Sequence, residues 1–261
     1  MNLLEFLQPM PVVGILRDIP QGAEESCVKT AAECGLKAIE VTMNTASAEA
    51  IIADLKAAAK PYGIAVGAGT VRHGSDLDKA IAAGAEFIVT PNTRNEIIRL
   101  SATARIPIIP GALTPTEVQK AYDLGATAVK IFPVNCVGGP EYIKALRGPF
   151  RDIPLMACGG VNPENAASYL KAGANLLSFG ASIYDPKLMA AGNHCQAPEK
   201  APRFDQIADS SYRQKSPAFK QDFFLSTAYC LLPTFSSFLA SSCTWRHRRC
   251  ATCRRVPCSL R

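Results

Sequence analysis

The chain has 261 residues, 48% of them hydrophobic and 19% charged, a composition typical of a globular protein with a substantial core. Its net charge of +6 is uneven: residues 1–193 contain 17 Lys and Arg against 18 Asp and Glu, and residues 194–261 contain 11 against 4. The N-terminus lacks the basic start and apolar run of a signal peptide, and no segment reaches the roughly 20 apolar residues that span a bilayer. We therefore expect a cytoplasmic protein without a membrane partner, in which only the first region resembles an enzyme.

A repeated pattern organises that first region. Four segments end an alanine-rich helix with a glycine, at Gly35, Gly84, Gly125 and Gly173, and then continue into an apolar strand. A helix C-terminus favours glycine because the next residue often takes a positive φ. The repeat of about 23 residues is close to the size of a βα unit. It predicts strands near 11–17, 38–43, 65–70, 86–91, 106–111, 127–133, 154–159 and 175–180.

Helices are predicted between these strands, for example over 46–60 and 114–124. Thr114, Pro115 and Glu117 predict a capping box at the start of the second helix. Eight strands alternating with helices predict an α/β protein with a (β/α)₈ TIM barrel. An open doubly wound sheet is the alternative, because spacing alone does not close a barrel.

The predicted sixth strand, TAVKIFP, contains a lysine. Side chains alternate along a strand, so Ala128, Lys130 and Phe132 share one face. A lysine is rarely buried unless it is paired or used, and desolvation favours the neutral amine that can attack a carbonyl. The alternative is a structural lysine that reaches solvent at the strand end.

Polar residues also occur where other strands end, the edge that holds the active site of a barrel. Arg17 ends the first strand, and Glu40 and Thr42 share a face of the second. Thr70 ends the third strand and Pro91 the fourth. A buried carboxylate beside a buried amine indicates either a structural ion pair or an acid–base partner for an amine nucleophile.

Two glycine-rich turns, CGGVNPEN at 158–165 and SFGAS at 178–182, follow the predicted seventh and eighth strands. Exposed backbone N–H groups at helix N-termini bind phosphate, and the loops after strands 7 and 8 often do so in barrels. Each turn alone is also compatible with an ordinary βα connection. Together they predict a phosphate site.

These motifs resemble the 2-keto-3-deoxy-6-phosphogluconate (KDPG) and 4-hydroxy-2-oxoglutarate (KHG) aldolase family. The resemblance covers roughly residues 5–185 and is carried in order by GILRD, IEVTMNT, VGAGTV, FIVTPN, IPGALTPTE, VKIFP, GGPEYIKALRGPF and CGGVNPEN. It implies a class I aldolase, usually a homotrimer, that needs no metal or other cofactor and has no nucleic-acid partner. The implied substrate is a small phosphorylated keto sugar acid cleaved to pyruvate and glyceraldehyde 3-phosphate, with 4-hydroxy-2-oxoglutarate as a second substrate.

The resemblance also implies roles for individual residues. Lys130 would form the Schiff base and Glu40 would shuttle protons. Arg17 suits the substrate carboxylate as a bidentate partner. The other implied substrate contacts are Thr42, Thr70, Pro91 and Phe132 near the reacting end, and Gly159, Gly160, Gly180 and Ser182 at the phosphate.

Two positions depart from the family pattern. Some members carry an arginine where this chain has Asn44, which leaves Arg17 to bind the carboxylate. The residue before the glycine pair is often threonine and here is Cys158, which is expected to remove a hydroxyl from the phosphate site. Asn44 resembles the phosphogalactonate branch, so that substrate is an alternative. A non-catalytic barrel with a compromised C-terminus, and a phosphate-binding isomerase or epimerase, are alternatives from other classes.

The family pattern ends near residue 192, where we expect the barrel to end. Residues 193–214 could supply a closing helix, because Phe204, Ile207, Ala208 and Tyr212 have helical spacing. Residues 215–261 are rich in Cys, Arg and Ser and are expected to be a disordered or non-native tail. A zinc site in this tail is less favoured, because only one CxxC pair is present.

Overall fold

The computed structural model describes residues 1–180 and Tyr184, and in this part of the chain short parallel strands alternate with helices. The strands are β1 (Val12–Leu16), β2 (Ala38–Thr42), β3 (Ala65–Gly69), β4 (Ile88–Val89), β5 (Ile108–Ile109), β6 (Gly111–Ala112), β7 (Val129–Ile131), β8 (Leu155–Cys158) and β9 (Leu176–Phe179). The α-helices are α1 (Leu3–Leu7), α2 (Glu24–Glu33), α3 (Ala48–Ala59), α4 (Gly74–Ala82), α5 (Asn95–Thr103), α6 (Pro115–Asp123), α7 (Pro140–Arg147) and α8 (Pro163–Ala172). None of these helices has the length and apolar character needed to cross a membrane.

The strands form one sheet whose two edges are halves of a single predicted strand. The order is β5-β4-β3-β2-β1-β9-β8-β7-β6, and β5 and β6 are separated only by Pro110. Proline has no N–H, so it interrupts the ladder and splits the strand predicted at 106–111. Thr127 N donates to Ile108 O over 2.9 Å, and Lys130 N donates to Pro110 O over 2.8 Å, which joins the edges.

The sheet is therefore a nearly closed barrel with helices between its strands, which confirms the (β/α)₈ prediction. The sequential strand order excludes the open doubly wound alternative, in which the order reverses at a switch point. The predicted helix ends are also confirmed. Thr114 and Glu117 cap α6 reciprocally, and the four predicted cap glycines have φ between 73° and 109°. The proposed closing helix at 193–214 and the tail at 215–261 lie outside the described residues.

The apolar side chains form two clusters, one between sheet and helices and one inside the barrel. The inner cluster comprises Val13, Ala38, Ala65, Phe87, Val89, Ile109, Ala128, Met156 and Leu176, together with Leu3 and Leu7 of α1. Because α1 packs on this cluster, it covers the end of the barrel at which the strands begin. The same interior faces become polar toward the ends of the strands, at Glu40, Lys130, Cys158 and Ser178.

Gly111 allows two barrel strands to approach closely. A Cβ at this position would lie 2.3 Å from the backbone C and O atoms of Pro91. We expect Gly111→Ala to lower the free energy of unfolding by about 1–3 kcal/mol, the usual cost of overpacking, as measured by urea denaturation. Gly74→Ala is the matched control, because the nearest atom to its Cβ would be 3.7 Å away. Equal effects of the two substitutions would contradict this account.

Candidate active site

Lys130 points into the barrel from β7. Its neighbours Val129 and Ile131 belong to the outer apolar cluster and Ala128 to the inner one, so the predicted alternation is confirmed. Lys130 is 7% exposed, and its Nζ lies 5.1 Å from the centroid of the Phe132 ring. That distance is within the range of a cation–π contact. Phe132 is 38% exposed, so its ring lies against the buried amine on the solvent side of the site.

Glu40 lies on the interior face of β2 and is 1% exposed. Its Oε2 atom has no hydrogen-bond partner among the described residues. Burial raises the pKa of Glu40, and the positive charges of Lys130 and Arg17 offset only part of that effect. Gly69 on β3 provides the space, since a Cβ there would lie 2.8 Å from Glu40 Cδ. A carboxyl with a raised pKa that interacts electrostatically with an amine suits general acid–base chemistry.

The raised pKa also predicts a pH dependence of stability. A carboxyl whose pKa is higher in the folded state stabilises the fold fully below its unfolded value, here about 4.5, and loses that contribution as pH rises through the folded-state value. Glu40→Gln stays neutral, so we expect it to exceed the wild type in unfolding free energy by about 1–3 kcal/mol at pH 8. The difference should nearly vanish at pH 4.5, as measured by urea unfolding. A wild type more stable than the variant at pH 8 would mean that pairing with Lys130 outweighs burial.

Arg17 follows β1 and is held by two side chains from neighbouring strand ends. Its Nη1 donates to Asn44 Oδ1 over 3.2 Å, and its Nη2 donates to Thr70 Oγ1 over 3.5 Å. Thr70 itself has a positive φ of 55°. Asn44, which stands where some family members carry an arginine, therefore contacts Arg17 and helps to orient it.

Thr42 is buried on the same face of β2 as Glu40. Its Oγ1 lies 2.9 Å from Thr45 Oγ1, and Thr45 Oγ1 also accepts from Asp18 N over 3.1 Å. These bonds connect the segments that follow β1 and β2. In this structure the Thr42 hydroxyl therefore supports the loop that carries Asn44.

Pro91 follows β4 and is half-buried, with its backbone against Gly111. The preceding Thr90 is buried, donates to Asn92 O over 2.5 Å and accepts from Gly111 N over 3.4 Å. These contacts fix the turn in which Pro91 lies at the rim of the barrel.

The glycine pair after β8 adopts a conformation that favours glycine. Gly159 has φ of 98° and Gly160 of 68°. Among the described residues, the N–H groups of Gly160 and Val161 donate to no acceptor. The first turn of α8 is capped within itself, because Asn165 N donates to Asn162 Oδ1 over 3.0 Å. Gly160 and Val161 therefore leave free backbone donors in this turn.

The second predicted glycine turn begins at Gly180, directly after β9. A Cβ at Gly180 would lie 2.6 Å from Ile15 O, so this position requires glycine for close backbone approach. Ser182, the other predicted phosphate contact in this turn, lies outside the described residues.

Cys158 lies inside the barrel, directly before the glycine pair of the predicted phosphate site. It shares the interior face of β8 with Met156 and is buried. Burial raises the pKa of the Cys158 thiol, and contacts with Lys130 and Ser178 oppose the shift. The strand alternation could have indicated this orientation, because Met156 is two residues earlier.

Ser178 is a buried polar residue that the sequence analysis did not single out. It is the ladder partner of Cys158 and faces that thiol, and its Oγ makes no conventional hydrogen bond in the described part of the chain. Strand alternation could have predicted its interior position, because it lies two residues after Leu176 of the inner cluster. No group of three or more His, Cys, Asp or Glu side chains within residues 1–180 could hold a metal ion.

The family described as KDPG and KHG aldolase matches residues 4–197, well over half of the chain. The chain belongs to this aldolase family. The match includes the whole described barrel and both Lys130 and Glu40, and it confirms the resemblance carried by the sequence motifs.

Two relatives of this aldolase carry different substrate names. The chain is 35% identical to the 2-dehydro-3-deoxy-6-phosphogalactonate aldolase of Escherichia coli over 184 residues, 69% of the chain and 88% of that protein. It is 37% identical to the 2-dehydro-3-deoxy-phosphogluconate aldolase of Pseudomonas aeruginosa over 153 residues, 59% of the chain and 68% of that protein. A solved structure named "Native KDPGal structure" is 33% identical with a TM-score of 0.67, over 78% of this chain and 95% of that one. The KDPG/KHG-family protein described here is accordingly an aldolase, a lyase.

Proposed function

We propose that this aldolase cleaves 2-keto-3-deoxy-6-phosphogluconate to pyruvate and glyceraldehyde 3-phosphate through a Schiff base on Lys130, with 4-hydroxy-2-oxoglutarate as a second substrate. The observation that carries the proposal is the buried Lys130 amine near the buried Glu40 carboxyl at the strand ends of the barrel. Two such ionisable side chains are costly to bury unless they pair or react.

The reaction begins when the neutral Lys130 amine attacks the C2 ketone and water leaves, which forms an iminium. Glu40, as carboxylate, takes the C4 hydroxyl proton directly or through a water. The C3–C4 bond then breaks, its electron pair moves toward the iminium nitrogen, and the aldehyde leaves. Glu40 returns a proton to C3 of the enamine, and water hydrolyses the resulting pyruvate imine.

The two ends of the substrate have different partners in this proposal. Arg17, oriented by Asn44 and Thr70, suits the carboxylate because a guanidinium binds such a group with two hydrogen bonds. Pro91 and Phe132 border the reacting carbons, and Thr42 supports the loop beside them. The phosphate suits the N–H groups of Gly160 and Val161, which have no acceptor among the described residues. Gly180 and Ser182 of the second turn are its other proposed contacts.

The galactonate epimer is the second candidate substrate, favoured by Asn44 and by the extent of the match to the E. coli relative. Pyruvate formation, coupled to lactate dehydrogenase, should be measured with both phosphorylated epimers and with 4-hydroxy-2-oxoglutarate. We expect the gluconate epimer to have the highest kcat/KM. A higher value for the galactonate epimer would select the second candidate, and no pyruvate from any of the three would contradict both.

We also propose that the protein is a cytoplasmic homotrimer that requires no metal or other cofactor, as the family resemblance implies. Light scattering should give three times the chain mass of 27.9 kDa. Activity should survive EDTA and chromatography that removes metal ions. A monomer with full activity would contradict the trimer, and loss of activity restored by a divalent cation would contradict the cofactor proposal.

The proposed domain layout is a barrel over 1–192, a closing helix over 193–214 and a dispensable tail over 215–261. Its support is the change of composition after residue 193. A chain that ends at Gln214 should keep the kcat and KM of the full protein, whereas a chain that ends at 192 should lose stability. Loss of activity on removal of 215–261 would assign that segment a functional role.

A further inference from the structure

Asn135 lies directly against the glycine pair that follows β8. It belongs to the short 3-10 segment Val134–Val137, which follows β7, and its side chain is exposed. A Cβ on Gly160 would lie 2.7 Å from Asn135 Cβ and 2.9 Å from Asn135 Cγ. A Cβ on Gly159 would lie 3.1 Å from Asn135 Oδ1. The absence of side chains on these two glycines therefore lets the Asn135 amide approach the turn.

The Asn135 amide adds a donor without an acceptor to a turn that already has backbone donors without acceptors. Asn135 Oδ1 has a weak donor in Cys136 Sγ at 3.7 Å, whereas Asn135 Nδ2 donates to no acceptor in the described ranges. The N–H groups of Gly160 and Val161 likewise donate to no acceptor among the described residues. A set of adjacent neutral donors is suited to an anion, because each can donate to a separate oxygen.

No basic side chain competes for that role in the two segments. Residues 132–139 and 158–165 contain no Lys or Arg, and the acidic side chain among them is the exposed Glu164. Within these two segments, only neutral donors would therefore face the charge of an anion on this turn. Under that condition a single side-chain donor matters, because a hydrogen bond to a charged group is worth more than one between neutral groups.

We propose that Asn135 is a further substrate-binding residue, whose amide N–H donates to the phosphate oxygens of a substrate seated on the 159–161 segment. Asn135 thereby contributes to the preference for phosphorylated keto acids over short non-phosphorylated ones. This inference rests on the proposed function and adds a side-chain determinant to its phosphate site. A merely structural Asn135 would instead support the turn and affect both classes of substrate equally.

The test uses two substitutions at Asn135 and two substrates. Asn135→Ala removes the donor, and Asn135→Asp keeps the shape but replaces the donor with a negative charge. With 2-keto-3-deoxy-6-phosphogluconate, we expect KM to rise about 3–10-fold for Asn135→Ala and about 10–100-fold for Asn135→Asp. With 4-hydroxy-2-oxoglutarate, which has no phosphate, both variants should stay within about 2-fold of the wild type.

Asn2→Asp is the matched control for added charge. Asn2 is exposed and precedes α1, which covers the end of the barrel opposite the candidate site. We expect it to change KM by less than about 2-fold for either substrate, since exposed charges at a distance are screened. Substituting Gly160 itself is less informative. A side chain there would be strained at a φ of 68° and would collide with Asn135, so it would disturb the turn whatever the ligand.

The outcomes separate this inference from the proposed function. If the wild type cleaves the phosphorylated substrate no better than 4-hydroxy-2-oxoglutarate, the phosphate site of the proposed function fails and Asn135 has no phosphate to bind. If the wild type prefers the phosphorylated substrate but Asn135→Asp behaves like Asn2→Asp, only the role of Asn135 is overturned. Equal losses with both substrates would also overturn it, because they would indicate a structural role.

Discussion

Lys130→Ala should lower pyruvate formation from the phosphorylated substrate by more than about 10⁴-fold, because the variant lacks the amine that forms the covalent intermediate. The fold should persist, since Lys130 lies among the polar side chains at the strand ends and not within the inner apolar cluster. The measurements are the coupled pyruvate assay and thermal unfolding of the same preparation. Lys130→Arg should be as inactive, because the guanidinium keeps the charge but is not a nucleophile at neutral pH.

Lys171→Ala is the matched control for this prediction. Lys171 is an exposed lysine on α8, outside the candidate site, and its removal should leave the assay unchanged. A Lys130→Ala variant that kept substantial activity would show that another lysine is the nucleophile, and the site described here would then be wrongly assigned.

Glu40→Gln should slow proton transfer by about 10²–10⁴-fold while the imine still forms. The glutamine keeps the size of the side chain in the space left by Gly69, but its amide cannot accept a proton at C4 or return one at C3. Exchange of the pyruvate methyl protons with deuterated solvent, followed by NMR, reports the C3 step alone. Wild-type exchange should rise with pH as Glu40, with its raised pKa, loses its proton.

Glu24→Gln is the control for loss of a buried carboxylate. Glu24 lies in the first turn of α2, and its Oε1 is also buried without a hydrogen-bond partner in the described part of the chain, but it lies outside the candidate site. Its substitution should leave the exchange rate within about 2-fold of the wild type. Unchanged exchange in Glu40→Gln would make Glu40 a structural partner of Lys130 rather than an acid–base group.

The parts of the fold that depend on local sequence were predictable. Gly35 and Gly173 end helices with positive φ because the residue after a helix often needs that conformation. The alternation through Lys130 follows from strand geometry alone, and the repeat gave the number and order of the βα units. The same strand geometry predicts Glu40 and Lys130 at one end of the barrel.

The rest depended on contacts between residues far apart in sequence. Gly69 and Gly111 read as parts of apolar strands, and only the packed barrel shows that each leaves room for a neighbour. Asn44 lies 27 residues from Arg17, so no local pattern indicates their hydrogen bond. The split of the fifth strand was partly predictable, because Pro110 has no N–H to donate to a strand ladder. Whether that missing donor interrupts the strand depends on which neighbouring strand lies on the side of Pro110 N.

The most direct test of the account is reduction of the protein with borohydride in the presence of pyruvate, followed by digestion and mass spectrometry. We expect a stable reduced pyruvate adduct on the peptide that contains Lys130, absent without pyruvate and absent in Lys130→Ala. Glu40→Gln should still form it, because that side chain acts after the imine. No adduct, or an adduct confined to another lysine, would contradict the Schiff-base mechanism proposed for this site.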